Sequence, residues 1–197
     1  YYVQAYEPEY YYHKSIKNII NKKINKKTKL IRLNIIVNAL MYQNYHEIKT
    51  NRVVFPGLDL SVFKPMKVKK DNRKIILGTI GRLEEYKGTK YIIKIFKNIR
   101  KQLGDRVELH VAYGELFFEK IDGIKVVIPN GDLELAKYYN TLDFYICAGT
   151  VQLEAIHYPV IESMACKVPI ITTGYYPSNE DNAFIVSIKD IKAIENA

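Results

Sequence analysis

The chain has 197 residues, a formal net charge of +9 and 48% apolar content, enough for one large domain or for one domain and part of another. No apolar run approaches the ~20 residues needed to cross a bilayer, and the first fifteen residues lack the order of a signal peptide, so the expected location is the cytoplasm. The charge is mostly lysine spread along the chain, without clustered arginine or a recognisable nucleic-acid module, so nucleic acid is not an expected partner; Cys147 and Cys166 sit in apolar settings, too far apart for a CxxC motif, and are expected as buried thiols without zinc.

In chain order, residues 1–4 read as a strand fragment and the tyrosine-rich stretch to Tyr12 as a loop or interface. Ile16, Ile19, Ile20 and Ile24 share one helical face, and Lys14, Lys17, Lys22 and Lys23 cover the rest. This predicts an amphipathic basic helix over 15–24, read as a domain helix with a solvated lysine face; an anionic membrane surface is the alternative partner. Residues 33–37 are strand-like, 39–48 helical, and 52–55 a strand ending at Pro56-Gly57. The polar, Lys-rich 66–73 then marks a boundary. Two units follow: 1–60 as the end of one α/β domain with its linker, and 61–197 as a second domain.

From residue 75 strands and helices alternate. Buried strands are predicted at 75–80, 106–113, 124–128, 143–147, 168–173 and 183–187, with helices at 89–103, 132–141, 159–166 and from Ile188. A helical return between 115 and 120 is left open. Such alternation predicts an α/β fold, a Rossmann-like parallel sheet with helices on both faces, and ligands bind such sheets beyond the carboxyl ends of the strands.

Two of those ends carry chemistry. Gly81-Arg82-Leu83-Glu84-Glu85-Tyr86-Lys87-Gly88 joins a buried strand to a helix; Arg82 offers a planar fork for phosphate oxygens and Lys87 a compact charge, and both can stabilise negative charge on a departing diphosphate. The glycines here do not form GxGxxG, which leaves a nicotinamide dehydrogenase without support. Further on, Glu154 and Glu162 flank His157-Tyr158-Pro159 ahead of a β-branched strand. Pro159 suits a first helical turn, which places Glu162 in that turn beside free N–H groups.

The two carboxylates with seven residues between them, followed by Ser163-Met164-Ala165-Cys166 and an apolar strand, resemble the nucleotide-binding motif of retaining glycosyltransferases of the GT-B fold, family 4. The Gly-Arg to Lys-Gly loop resembles that family's diphosphate loop, and Pro56-Gly57-Leu58-Asp59 with Phe63-Lys64-Pro65 its interdomain linker. His157 to Glu162 is most similar to the branch that includes S-layer rhamnosyltransferases. The resemblance implies a donor-binding domain: Arg82 and Lys87 on the diphosphate, Glu162 on the sugar hydroxyls of the nucleotide, and Glu154 near the transferred sugar, with Glu154, Arg82 and Lys87 catalytic. It places the loop Pro129-Asn130-Gly131 near the base, and His157 and Tyr158 in the binding site. It further implies a nucleotide-diphosphate sugar as donor, no cofactor or metal, a glycan or lipid-linked acceptor of cell-surface polysaccharide synthesis, and peripheral attachment at the inner membrane face. The chain is expected to be truncated at both ends, with its N-terminal acceptor domain missing. A noncatalytic nucleotide-sugar-binding or interaction module is the alternative, and a sugar-nucleotide epimerase lacks its own carboxylates. Lys167 holds a helix-end position where the family has glycine; a left-handed backbone there costs ~1 kcal/mol.

Overall fold

The computed structural model describes residues 2–5, 34–45, 48–190 and 192. The basic helix predicted over 15–24 lies outside them. The main sheet has six parallel strands in the order β5-β4-β3-β6-β7-β8. These are β3 (Ile75–Ile80), β4 (Val107–Ala112), β5 (Ile124–Val127), β6 (Phe144–Cys147), β7 (Ile170–Thr172) and β8 (Phe184–Ile185). Three helices join them: α1 (Thr89–Leu103), α2 (Asp132–Thr141) and α3 (Tyr158–Ala165). The order reverses between β3 and β6, and there the connections leave the sheet in opposite directions.

The alternation of side chains along each strand builds a core on each face. Ile76, Tyr145, Cys147 and Ile170 pack with Tyr138 and Tyr139 of α2 and Val160 of α3. Their neighbours Leu77, Ile146 and Ile171 face Ile92, Ile95 and Phe96 of α1. Each central strand is therefore apolar on both sides, which is why it reads as a continuous apolar run. A smaller core lies outside this sheet, where β1 (Tyr2–Val3) pairs in parallel with β2 (Ile36–Val37). Tyr42, Ala39 and Ile48 fill it, with Ala155.

Several expectations are corrected. Residues 52–55 form no strand; Val53 makes one isolated bridge to Val37. The helix over 39–48 reduces to a 3-10 segment, Leu40–Asn44, whose N-cap Ala39 has no side chain to accept the free N–H groups. The return at 115–120 is likewise 3-10, Leu116–Lys120. β4 stops before Tyr113 because Tyr113 takes a φ of 55°. Asp132 does not cap α2. Gly131 is the N-cap, and Glu134 Oε2 reaches back to accept the Asn130 N–H at 2.7 Å. Beyond β8, Ile188 and Lys189 form a turn, and most of the helix predicted from Ile188 falls outside the described residues.

The last correction bears on the site. α3 begins at Tyr158, with Pro159 second, so Glu162 is its fifth residue and stands in the second turn. The free N–H groups of the helix start therefore do not face it.

Candidate functional site

At the carboxyl end of β3 the chain enters Gly81–Gly88 through two positions that only glycine fits. A Cβ on Gly81 would lie 2.4 Å from Gly114 Cα, and one on Gly88, where φ is +80°, would lie 1.8 Å from the Ala148 carbonyl oxygen. The loops after β3, β4 and β6 are thereby packed against each other. Hydrogen bonds fix them further: the Arg82 N–H donates to Thr89 Oγ1 at 3.1 Å, and the Thr150 N–H to the Tyr86 carbonyl at 2.9 Å.

On this frame Arg82, Lys87 and His157 converge. Burial lowers the Lys87 ammonium from its ordinary value and the positive charge of Arg82 lowers it further. His157 is pushed down to about 3, by burial first and then by Lys87 and Arg82, and is a neutral imidazole at physiological pH. Its ring stacks on Tyr175 with centroids 4.5 Å apart, and its Nδ1 lies 3.7 Å from Cys147 Sγ. Burial pushes that thiol up to about 12. The pair is therefore thiol and imidazole, a hydrogen-bonded support and not a thiolate nucleophile. Arg82 also gives Nη2 and Nε to Glu84, at 2.8 and 3.2 Å. That carboxyl falls to about 2, chiefly through the bond from Arg82. Beside it a cavity of about 310 Å3 is lined by Gly81, Arg82, Leu83, Glu84, Tyr113 and Glu115.

A second group surrounds Glu162, which is buried at 9% relative exposure. Burial raises its carboxyl above the ordinary value, against a lowering hydrogen bond from Tyr139, while nearby Asp132 raises it further. Tyr113 senses the same charge from the end of β4. The loop before α2 belongs to this side: Gly131 and Asn130 are exposed, and Tyr158, 48% exposed, opens α3. Pro129 is buried and lines a different cavity, about 580 Å3, with Lys74, Glu108, His110, Lys125 and Tyr138.

Glu154 stands apart. It is exposed and lines a cavity of about 290 Å3 with Met41, Asn44, Tyr45, Gln152 and Leu153. The two carboxylates of the sequence motif thus face different surroundings. Sequence reasoning missed Glu84, Tyr139 and Tyr175; nothing in their local pattern separates them from surface or core residues. Among the described residues no group of three or more His, Cys, Asp or Glu side chains could hold a metal ion, and no helix is long and apolar enough to cross a membrane.

A six-stranded parallel sheet in this order, with cationic side chains gathered where it reverses, defines an α/β domain of the Rossmann-like class. Residues 74–197 match the family described as glycosyl transferases group 1, and the chain belongs to that family. It is 30% identical over 188 residues to an uncharacterized glycosyltransferase of Methanocaldococcus jannaschii, covering 87% of this chain and 46% of that protein. It is 29% identical over 142 residues to a probable sucrose-phosphate synthase of Thermosipho melanesiensis, covering 66% of this chain and 34% of that one. The chain therefore spans a third to a half of these relatives. The structure of Anabaena HepE, solved with UDP and glucose, superposes with a TM-score of 0.70 at 15% identity, covering 100% of this chain and 59% of that one.

Proposed function

We propose that this chain is the donor-binding side of a retaining glycosyltransferase. It would move a sugar from a nucleotide diphosphate to a glycan or lipid-linked acceptor in cell-surface polysaccharide synthesis. The observation that carries this reading is the pairing of Arg82 with a partly buried Lys87 beside a neutral His157 at the sheet's reversal point. Burial first and then the Arg82 charge disfavour the Lys87 ammonium, while Arg82 itself is held by Glu84, and an anion beside Lys87 offsets that cost. A diphosphate at the end of a nucleotide sugar meets this demand, and the family membership supports it.

In the reaction the bond from the anomeric carbon to the diphosphate oxygen breaks and its electron pair leaves with the diphosphate. Arg82 and Lys87 stabilise the charge that builds there, without a metal or other cofactor. The acceptor hydroxyl attacks from the same face, forming the new bond to the anomeric carbon, and its proton passes to the departing diphosphate oxygen. Glu162 accepts from the sugar hydroxyls of the nucleotide, the loop at Pro129, Asn130 and Gly131 approaches the base, and Glu154 is assigned to the transferred sugar.

Calorimetry with UDP-, GDP- and dTDP-sugars tests the reading. One of them should bind, and Arg82→Ala or Lys87→Ala should weaken it by about 1.5 to 3 kcal/mol, the range for hydrogen bonds to charged groups. Absence of binding by the whole panel, or unchanged affinity in both folded variants, would overturn it.

A further inference from the structure

Glu162 is a buried carboxylate with an unusual shortage of partners. The Tyr139 hydroxyl donates to its Oε2 at 2.8 Å. Among the described residues no cation stands within salt-bridge distance of it, and its helix position removes the free N–H groups that a first-turn carboxylate would use. A carboxylate has about four acceptor sites; the one neutral donor holds Oε2, and Oε1 is not among the buried atoms without a partner but reaches solvent, where a ligand hydroxyl can take the place of water.

Tyr139 itself has little freedom. Its side chain is fully buried. The ring lies edge-on to Tyr145 with centroids 5.6 Å apart, tilted to Tyr138 at 5.4 Å and to Phe63 at 6.5 Å. Its neighbour Asn140 anchors the preceding chain, giving Nδ2 to the Lys64 carbonyl at 3.0 Å and accepting the Met66 N–H at 2.6 Å. The phenol therefore arrives at Glu162 from a wall that is fixed on every side.

Resting on the reading of Glu162 as a nucleotide ligand, we propose that Tyr139 is a positioning residue, which occupies Oε2 and holds the carboxylate so that Oε1 is offered to a sugar hydroxyl of the nucleotide. Burial keeps the phenol protonated far above neutral pH, so it remains a donor throughout the working range. The groups that act electrostatically on Glu162 are Asp132 and Tyr139 of α2, Tyr113 after β4, Tyr145 of β6, and Cys166 after α3. Of these, Tyr139 is the one that lowers the carboxyl by a hydrogen bond. Its removal lets the carboxyl rise further, and a protonated carboxyl is a poorer acceptor.

The experiment measures the affinity of UDP, GDP, dTDP and inorganic diphosphate across pH 5 to 8 for wild type, Tyr139→Phe, Glu162→Gln and the double variant. Tyr139→Phe keeps the ring and its three aromatic contacts. Expected is about a tenfold loss for the nucleoside diphosphate that binds, unchanged affinity for inorganic diphosphate, and an acid limb of the binding profile moved to higher pH. Glu162→Gln should weaken the nucleoside diphosphate and flatten that limb, and the double variant should be no weaker than Glu162→Gln alone. If Tyr139→Phe matches wild type in affinity and pH limb while Glu162→Gln is weakened, the positioning role is wrong. Equal weakening of inorganic diphosphate by Tyr139→Phe, or full additivity in the double variant, overturns it as well by showing a general packing defect. Wild-type binding by Glu162→Gln refutes the nucleotide role of Glu162 and the inference with it.

Discussion

At the scale of single residues, Glu108 shows how the sheet tolerates a buried charge. It lies on β4 with its side chain 8% exposed, and Lys125 Nζ and His110 Nε2 stand 2.8 and 3.1 Å from Oε2. Lys74 pairs with Oε1. Burial alone would raise this carboxyl; the bonds from Lys125, Lys74 and His110 outweigh it and bring it down to about 2. A folded value below the unfolded one means stabilisation that is complete above about pH 4.5 and is lost as pH falls toward 2. Glu108→Gln should therefore cost roughly 1.5 to 3 kcal/mol at pH 7, and the gap to wild type should close in that acid window. Denaturant titrations at a series of pH values check this, and a gap that stays constant to pH 2.5 would refute it. His110 lies two residues on in the same strand but Lys74 and Lys125 lie outside it, so the strand pattern at 106–113 predicts burial and gives no sign of the two lysines. The same holds for Tyr139, which reads as one more apolar residue of α2. The helix start lies one residue earlier than proline suggests, because Tyr158 enters ahead of Pro159, and that single residue carries Glu162 from the first turn into the second.

Among the elements, legibility follows local chemistry. The limits of α1 are visible in the sequence because glycines bracket it, Gly88 with φ +80° and Gly104 with φ +59°. The central strands are visible because both their faces are apolar. Residues 39–48 and 52–55 differ from their local pattern because long-range packing decides them, through Tyr42, whose hydroxyl lies 2.8 Å from Gln152 Oε1, and through the single bridge at Val53. The end of α3 is a case where a sequence expectation gains a cost. The Val168 N–H donates to the Ser163 carbonyl at 3.0 Å and the Lys167 N–H to the Met164 carbonyl at 2.9 Å, the two bonds of a Schellman motif. That motif requires a left-handed residue, and Lys167 supplies it with φ 59°. Lys167→Gly should stabilise the fold by about 0.5 kcal/mol at most, the ~1 kcal/mol relief of the Cβ strain less the ~0.4 kcal/mol or more of entropy that glycine adds to the unfolded chain. A lower denaturation midpoint in the variant would show that the lysine side chain contributes more than its backbone costs.

For the molecule as a whole, the question is how much of a transfer reaction this polypeptide can perform. Arg82, Lys87, the neutral His157 and Glu162 all lie toward the carboxyl ends of one sheet, where the proposed function has them hold a donor. An acceptor needs its own wall. The small core built on β1 and β2 contributes Met41, Asn44 and Tyr45 to the cavity beside Glu154, but a full domain of ~100 residues is the usual size of an independent partner, and the chain spans 46% and 34% of two relatives it matches. Holding both reactants in place contributes ~7 to 11 kcal/mol in such reactions, so a polypeptide that holds the donor alone gives little turnover even where donor binding is strong. If the proposed function holds, the 197-residue polypeptide should bind a nucleotide sugar with measurable affinity and transfer it to an added acceptor far more slowly than a form to which a second α/β domain has been joined. A radiolabelled donor incubated with each, followed by separation of product from donor, gives the answer. Comparable transfer by the short form would mean that the segments around β1 and β2 already complete the cleft.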